Sequence, residues 1–241
     1  MIKIQNLTKT FGAYKAVDDL NLDVSAGEIF GFLGPNGAGK TTTVKILSGI
    51  MKPASGRVLV GGYDIVENPL EAKKIIAYIP DEPFVYPKLT GFEFLRFIGD
   101  IYSVPYAEQT RRIPELLEIF ELSAQSGELL EAYSHGMKQK LLIAGVLLRK
   151  PRVVLFDEPT VGLDPKSIKR FRHLLLEIAK NGAAVFMCTH ILEMAEKLCT
   201  NVGIIYRGRL IAKGTVAEVK KTASGTAGYR SLEDVFLELT A

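Results

Sequence analysis

Apolar residues follow two patterns along the chain, and each pattern predicts a different kind of strand. Through residues 1–24 apolar and polar residues alternate, which predicts two strands of an antiparallel edge sheet with a turn at Phe11 and Gly12. Later runs are short and almost wholly apolar, which is typical of parallel strands buried on both faces. These core strands are predicted at residues 28–33, 75–79, 153–156 and 183–188, with shorter strands at 57–60, 202–206 and 209–212.

Helical periodicity occupies the segments between the strands. It dominates residues 87–150, so we predict a helical subdomain inserted between two core strands, with Ser134 as the N-cap of its last helix. Another amphipathic helix is predicted at 165–180. This order of elements predicts an α/β fold. We assign residues 1–220 to one domain, and 221–241 to a small, polar linker at 221–228 followed by a C-terminal helix at 231–239.

A glycine-rich stretch joins the predicted strand 28–33 to a predicted helix at 41–48. Its spacing, Gly-x-x-x-x-Gly-Lys-Thr, is that of a phosphate-binding loop, whose N–H groups face polyphosphate at the positive end of the helix dipole. We expect Lys40 to reach the β- and γ-phosphates and the Thr41 hydroxyl to ligate Mg²⁺. The residues predicted to bind nucleotide are Gly34, Pro35, Asn36, Gly37, Ala38, Gly39, Lys40, Thr41 and Thr42.

Polar and charged residues follow two other predicted core strands. Asp157 and Glu158 come directly after the apolar run 153–156, and His190 follows the run 183–188. Open α/β sheets bind their ligands at the carboxyl ends of the strands, which is the edge that also holds the phosphate loop. We therefore expect these three side chains to face the nucleotide.

Composition narrows the functional class and the expected location. A net charge of +3 without a long basic block does not indicate nucleic-acid binding. Cys188 and Cys199 do not make a disulfide framework, so a reducing cytoplasm fits. The N-terminus lacks the apolar core of a signal peptide, and the apolar stretches are too short to span a membrane. We expect a chain that is soluble by itself and reaches a membrane only through a partner.

Together with residues 133–139 and 161–164, the ordered motifs resemble the ATP-binding subunit of an ABC transporter. The resemblance covers nearly the whole chain, and the combination is far more specific than the phosphate loop alone. It implies a P-loop NTPase (RecA-like) core with a parallel sheet, an N-terminal antiparallel β-subdomain and a helical signature subdomain. It also implies that the bound nucleotide is ATP with Mg²⁺.

The resemblance implies a role for each motif of the site. Phe11 matches the aromatic residue that stacks on adenine. Asp157 matches the carboxylate that holds Mg²⁺, and Glu158 matches the general base that orients and polarises the attacking water. His190 matches the histidine that contacts the γ-phosphate. The implied catalytic residues are thus Glu158, His190 and Lys40, and the implied Mg²⁺ ligands are Thr41, Asp157 and Asp81.

Residues 133–137 match the family's signature motif, usually Leu-Ser-Gly-Gly-Gln. Ser134 and Gly136 are implied to bind the γ-phosphate of ATP held by the opposite subunit, and residues 161–164 match the loop that bridges the two subunits. The resemblance therefore implies a head-to-tail dimer with ATP between the subunits, formed with a second copy or a similar subunit. A transmembrane permease is the implied partner, at the cytoplasmic face of the membrane, without nucleic acid.

Two positions depart from the family's pattern. Asp81 stands where the family usually has a glutamine that contacts Mg²⁺ or water and links to the membrane subunit; Asp81 is shorter and charged, yet it can ligate Mg²⁺ and so contribute to the cofactor site. His135 and Met137 stand where glycine and glutamine are commoner. Signatures of this type, and the ending at residues 231–236, resemble bacterial exporters with a separate permease chain, which favours export.

Two other classes share part of this pattern. A soluble ABC ATPase acting on DNA or ribosomes would have the same motifs, but such proteins usually carry coiled-coil insertions or a second nucleotide domain. The chain repeats neither the phosphate loop nor the signature. A P-loop kinase or GTPase outside the ABC family would share only the phosphate loop, and the signature and His190 argue against it.

Overall fold

The computed structural model of the protein describes residues 1–160, 164–222 and 231–240. The chain forms two compact units. The first consists of Met1–Tyr78, Arg152–Glu158 and the described residues from Leu174 onward, and the second of Ile79–Pro151 with the described residues of Pro159–His173.

The strands confirm the predicted division into an antiparallel and a largely parallel part. In chain order they are β1 (Ile2–Phe11), β2 (Tyr14–Val24), β3 (Ile29–Leu33), β4 (Ser55–Val60), β5 (Tyr63–Asp64), β6 (Ile76–Ile79), β7 (Val153–Asp157), β8 (Ala184–Thr189), β9 (Asn201–Tyr206) and β10 (Arg209–Thr215). One sheet has the order β2-β1-β4-β5, in which β1 pairs antiparallel with β2 and β4. The other has the order β10-β9-β3-β8-β7-β6, in which β9, β3, β8 and β7 run parallel.

The described α-helices are, in chain order, α1 (Lys40–Leu47), α2 (Pro69–Ile75), α3 (Gly91–Ile101), α4 (Tyr106–Ile119), α5 (His135–Arg149), α6 (Pro165–Lys180), α7 (Leu192–Leu198), α8 (Val216–Thr222) and α9 (Leu232–Thr240). Helix α1 begins directly after the phosphate loop and contacts β2, β7 and β8. Helix α9 contacts α7 and α8, with Leu232 and Val235 fully buried.

The core of the first unit lies between its two sheets and α1. Strands β3, β7 and β8 are buried along their whole length, which explains their continuous apolar sequences. Phe186 of β8 stacks with Phe30 at 5.6 Å between ring centroids and packs against Phe32 at 5.2 Å. Alternate residues of β1 and β2, among them Ile2, Ile4, Leu20 and Leu22, complete this cluster.

The second unit contains the predicted helical insertion. Helices α3, α4 and α5 contact one another and bury apolar side chains such as Phe94, Leu117 and Leu141. Thr90 begins α3 with a capping box, since its hydroxyl accepts from Glu93 N–H while the Glu93 carboxylate accepts from Thr90 N–H. Ser134 caps α5 as predicted, accepting from Met137 N–H at 3.3 Å.

The structure differs from the sequence-based prediction around residue 75 and at the predicted linker. Ile75 ends helix α2 rather than opening a core strand, because Pro69 is favourable in the first turn of a helix and the strand begins only at Ile76. Helix α2 itself was not predicted. The predicted linker at 221–228 begins inside α8, which extends to Thr222; the rest of that linker lies outside the described residues.

Candidate nucleotide-binding and catalytic site

The predicted phosphate loop connects the end of β3 to the start of α1. Gly37 and Gly39 have φ angles of +78° and +111°, and Gly39 is the N-cap of α1. Residues with a side chain rarely adopt such backbone conformations, whereas glycine does so at little cost. The loop therefore needs glycine at both positions to turn from the strand into the helix.

Close contacts explain the outer glycines of the motif in another way. A Cβ atom on Gly34 would lie 2.5 Å from the carbonyl oxygen of Ile205, and one on Gly39 would overlap the carbonyl oxygen of Ala16. The Gly208 N–H also donates to the Ala38 carbonyl at 3.0 Å. Strand β2, strand β9 and the β9–β10 turn thus contact the loop directly. A methyl group on Gly34 or Gly39 would force these contacts apart.

Lys40 is held against the loop that it follows. Its side chain is only 7% exposed, and Nζ donates to the Gly34 carbonyl at 2.7 Å and to the Pro35 carbonyl at 3.2 Å. A buried ammonium needs such acceptors to offset its lost hydration. The charge is therefore positioned beside the loop, where a polyphosphate would compete for it.

The threonines that open α1 have different surroundings. Thr41 is exposed and Thr42 is half-buried. Thr43 is fully buried, and its hydroxyl donates to the Gly39 carbonyl at 2.9 Å. That bond satisfies the carbonyl of the residue that begins the helix, which gives a structural reason for a hydroxyl-bearing residue there. Of these three threonines, Thr41 is the most exposed.

Glu158, His190 and Lys40 come together at the carboxyl ends of the parallel strands. Glu158 Oε1 lies 3.0 Å from His190 Nδ1 and 4.0 Å from Lys40 Nζ, and the His190 N–H faces Glu158 Oε2 at 3.3 Å. Glu158 has φ of +50°, a sparsely populated conformation that non-glycine residues often adopt at functional sites. Its N–H donates to the Cys188 carbonyl at 3.0 Å, so strand β8 supports this turn.

Two buried groups lie beside these residues. Asp157, the last residue of β7, is 1% exposed. Burial raises the pKa of the Cys188 thiol well above its usual range, and the nearby Asp157 carboxylate adds to the rise. The protonated thiol is therefore favoured over the thiolate, which is the reactive form.

The tip of the β1–β2 hairpin carries two exposed aromatic residues next to the loop. Phe11, the predicted adenine platform, is 50% exposed, and Lys9 Nζ lies 5.3 Å from its ring centroid. Tyr14, paired with Phe11 across the hairpin, donates its hydroxyl to the Gly37 carbonyl at 3.1 Å. Tyr14 was not among the predicted site residues, although an aromatic residue just beyond the Phe11–Gly12 turn could have indicated it.

The other predicted site residues lie in the second unit. Ser134 is exposed and Gly136 is half-buried at the first turn of α5. Asp81 is exposed, and its Oδ1 accepts from Glu82 N–H at 2.9 Å.

Most of the predicted bridging segment 161–164 falls outside the described residues, which include only its last residue, Asp164. The Ser167 hydroxyl and N–H donate to the Asp164 carboxylate and hold its pKa well below the usual range. Lys140 Nζ, on the helix that Ser134 caps, lies 3.4 Å from the same carboxylate. The described end of the segment is therefore tied to α5.

The described residues contain neither a cluster of metal-binding side chains nor a helix that could cross a membrane. Within residues 1–160, 164–222 and 231–240, there is no group of three or more His, Cys, Asp or Glu side chains that could hold a metal ion. In the same ranges, no helix has the length and apolar character needed to cross a membrane.

Comparison with known proteins identifies the family. The model of the ABC transporter family matches residues 17–161. The chain is 36% identical over 225 residues to the linearmycin resistance ATP-binding protein LnrL of Bacillus subtilis, covering 93% of this chain and 72% of the relative. It is 40% identical over 222 residues to the bacitracin transport ATP-binding protein BcrA of Bacillus licheniformis, covering 92% and 72%. The chain spans 41% of the length of another relative, the probable multidrug ABC transporter ATP-binding protein YbhF of Escherichia coli, with 35% identity.

Solved structures agree with this assignment and confirm the predicted fold class. A structure described as the ATP-binding subunit of an ABC transporter superposes with a TM-score of 0.94 at 34% identity, covering 99% of both chains. A dimeric ATP-binding cassette in a post-hydrolysis state with ADP and Pi superposes with a TM-score of 0.81 at 25% identity, covering 89% of this chain and 98% of that chain. The chain therefore belongs to the ABC transporter family, as an ATP-binding subunit that hydrolyses ATP.

Proposed function

We propose that this subunit binds MgATP through the Gly34–Thr41 loop and hydrolyses it with Glu158 as general base. In the same proposal, residues 1–220 form the ATP-binding domain, and an ATP-bound dimer drives export through a separate permease at the cytoplasmic face of the membrane. The observation that best supports this proposal is the grouping of Lys40, Glu158 and His190. Glu158 Oε1 lies 4.0 Å from Lys40 Nζ and 3.0 Å from His190 Nδ1. This group lies at the strand ends where open α/β sheets bind ligands.

The proposed chemistry assigns one task to each side chain. A water oxygen attacks the γ-phosphorus as the bond to the ADP oxygen breaks, and the water's proton passes to a Glu158 carboxylate oxygen. Lys40 interacts with the β- and γ-phosphate oxygens, where its charge offsets the negative charge that they carry. His190 interacts with the γ-phosphate and, through its contact with Glu158, holds the base beside it. The products are ADP and phosphate.

The available donors fit Mg²⁺. The exposed Thr41 hydroxyl at the start of α1 and the Asp157 carboxylate at the end of β7 are hard oxygen ligands. Mg²⁺ prefers oxygen and usually takes one or two protein ligands besides water and phosphate oxygens. The family resemblance also implies that Asp81 can contribute an oxygen ligand. When bound, Mg²⁺ would neutralise charge on the β- and γ-phosphates.

The proposed dimer completes each site with residues of the other subunit. Ser134 and Gly136 lie at the exposed N-terminus of α5, a helix of 15 residues. Backbone N–H groups at such an end favour an anion. ATP bound to one subunit would therefore hold the signature helix of its partner, and hydrolysis would release it. A solved family member at 25% identity is itself dimeric, which supports this part of the proposal.

The direction of transport is inferred from the relatives. The relatives compared above are named for linearmycin resistance, bacitracin transport and multidrug transport. Resistance by transport requires outward movement of the drug. The names give no support to the alternative of a soluble ATPase acting on DNA or ribosomes. We therefore propose an exporter whose cargo is recognised by the permease chain.

The direct test is to purify the subunit from its native membranes in mild detergent and to identify the proteins that accompany it. We expect a polytopic membrane protein in near-equal amount. The Lys40→Ala variant serves as a control. A permease contact that does not require ATP should be retained when ATP binding is lost. Recovery with ribosomes or DNA-repair proteins and no membrane protein would instead support the soluble alternative.

A glutamine at position 81 should change coupling more than basal catalysis. Asp81 is exposed and shorter than the usual glutamine, so the Asp81→Gln variant would restore the reach and remove the charge of this side chain. We expect stimulation of ATPase activity by the permease to change more than the basal rate, because the amide oxygen of glutamine can still offer Mg²⁺ an oxygen ligand. The measurement compares ATPase rates of variant and parent with and without the reconstituted permease, and Glu82→Gln provides the neighbouring control. A change confined to the basal rate would show that Asp81 does not act in coupling.

A further inference from the structure

We propose that Tyr14 is a positioning residue for the phosphate loop. Its hydroxyl fixes the orientation of the peptide that joins Gly37 to Ala38, so that the loop is arranged for polyphosphate before the nucleotide arrives. The inference rests on the proposed nucleotide-binding role of the loop. It extends that role to a residue outside the motif, on the neighbouring hairpin.

The geometry of a trans peptide limits how the loop can turn its polar groups. The C=O and N–H groups of a trans peptide point to opposite sides of the chain. A loop that turns its N–H groups towards phosphate must therefore turn the matching carbonyls outwards. Each outward carbonyl needs a donor or water, because an unpaired backbone group that loses its hydration is costly. A carbonyl that turned inwards would instead present a partial negative charge to the phosphates.

Carbonyls of this loop accept from donors that come from different parts of the first unit. Lys40 Nζ donates to the Gly34 carbonyl at 2.7 Å. The Gly208 N–H donates to the Ala38 carbonyl at 3.0 Å. The Tyr14 hydroxyl donates to the Gly37 carbonyl at 3.1 Å. The loop thus receives a backbone donor, its own lysine and a side chain from β2.

The Tyr14 contact falls where the loop is least constrained by packing. The carbonyl of Ile205 lies close to Gly34, and the carbonyl of Ala16 lies close to Gly39. A Cβ on Gly37, by contrast, would meet nothing within 4 Å. Gly37 is also exposed, and a glycine with positive φ can rotate its peptide with little steric resistance. A hydrogen bond from Tyr14 supplies at this position the restraint that packing supplies at the others.

The hairpin holds Tyr14 in place independently of the nucleotide. Tyr14 opens β2 and pairs with Phe11, the last residue of β1, and the carbonyl of Ala16 in the same strand lies against Gly39. The strand that contacts the end of the loop therefore also carries the hydroxyl that reaches its tip. Since Phe11 is the proposed adenine platform, one hairpin would position both the base and the phosphates.

The Tyr14→Phe variant removes the hydroxyl and keeps the ring. We expect ATP affinity to fall about two- to fivefold, the equivalent of one solvent-accessible hydrogen bond. Because the loop cradles the phosphates rather than the base, ADP and GTP should lose affinity by the same factor as ATP. The loss should appear in KM for ATP, with the smaller change in kcat.

The matched control is Tyr63→Phe. Tyr63 is a partly exposed tyrosine of β5 in the same sheet, and it lies on a different strand from the hairpin tip. Dissociation constants for ATP, ADP and GTP are measured by calorimetry for both variants and the parent, together with the unfolding midpoint. Equal losses for the three nucleotides in Tyr14→Phe alone, with matching midpoints for the two variants, support the proposal.

Three results would overturn it. Unchanged dissociation constants in Tyr14→Phe would show that the hydroxyl does not act on the loop. A loss for ATP and ADP without a loss for GTP would mean that the hydroxyl acts on the base. A lower unfolding midpoint than that of Tyr63→Phe, accompanying the loss, would assign the hydroxyl to folding.

The Lys40→Met variant in the same assay separates this inference from the proposed function. If ATP affinity falls in Lys40→Met and not in Tyr14→Phe, the inference about Tyr14 fails and the nucleotide site stands. If both variants bind ATP as the parent does, the assignment of the loop to phosphate fails as well.

Discussion

The Glu158→Gln variant should bind ATP but hydrolyse it about 100- to 10,000-fold more slowly, the range that positioned general bases contribute. The amide has the size of the carboxylate and can keep contact with His190, which lies 3.0 Å from Oε1 through Nδ1. It cannot accept the proton of the attacking water. ATP should therefore persist and hold two subunits together.

The measurement combines single-turnover hydrolysis with size-exclusion chromatography in the presence of MgATP. We expect Glu158→Gln to elute as a dimer with ATP and as a monomer without it. The control is Glu177→Gln, an exposed glutamate of α6 in the same unit. Hydrolysis by Glu158→Gln at the rate of the parent would remove Glu158 from the role of base.

The Lys40→Ala variant should lose ATP affinity by about 10- to 100-fold, because a hydrogen bond from a charged donor contributes roughly 1.5–3 kcal/mol. Lys40 Nζ lies 2.7 Å from the Gly34 carbonyl, so its truncation also removes a donor from the loop. The Lys40→Met variant keeps most of the stem and removes only the charge. A similar loss in both variants would assign the effect to the ammonium.

Calorimetry with ATP and ADP measures this effect. Lys52→Met, an exposed lysine beyond α1, is the control for a general loss of positive charge. The affinity for ADP should fall less than the affinity for ATP, since ADP lacks the γ-phosphate that the ammonium is proposed to contact. Unaltered ATP affinity in both Lys40 variants would contradict the assignment of this loop to phosphate binding.

The elements of the core could be predicted because their sequences reflect burial directly. Strands β3, β7 and β8 are fully buried, so their apolar runs needed no tertiary information to interpret. Helix α2 was missed because its seven residues carry few apolar positions. Asn68, Pro69 and Glu71 at its start were the local signals that could have indicated it.

The grouping of the charged residues at one edge of the sheet could be predicted from their positions in the chain. Side chains that follow buried parallel strands meet at one edge of the sheet, and the contact of Glu158 with Lys40 and His190 agrees with that expectation. The positive φ of Glu158 could not be foreseen. It accompanies a hydrogen bond from the Glu158 N–H to the carbonyl of Cys188, a residue 30 positions along the chain.

The sequence by itself determined the phosphate loop, the family resemblance and the sheet edge at which the charged residues meet. These features depend on spacing and on periodic burial, which a local stretch of sequence records. Only the tertiary structure decided which distant groups support the loop: Tyr14 at Gly37, Ala16 at Gly39 and Gly208 at Ala38. These contacts join segments far apart in the chain, and they form only after the sheets pack, so no local pattern encodes them.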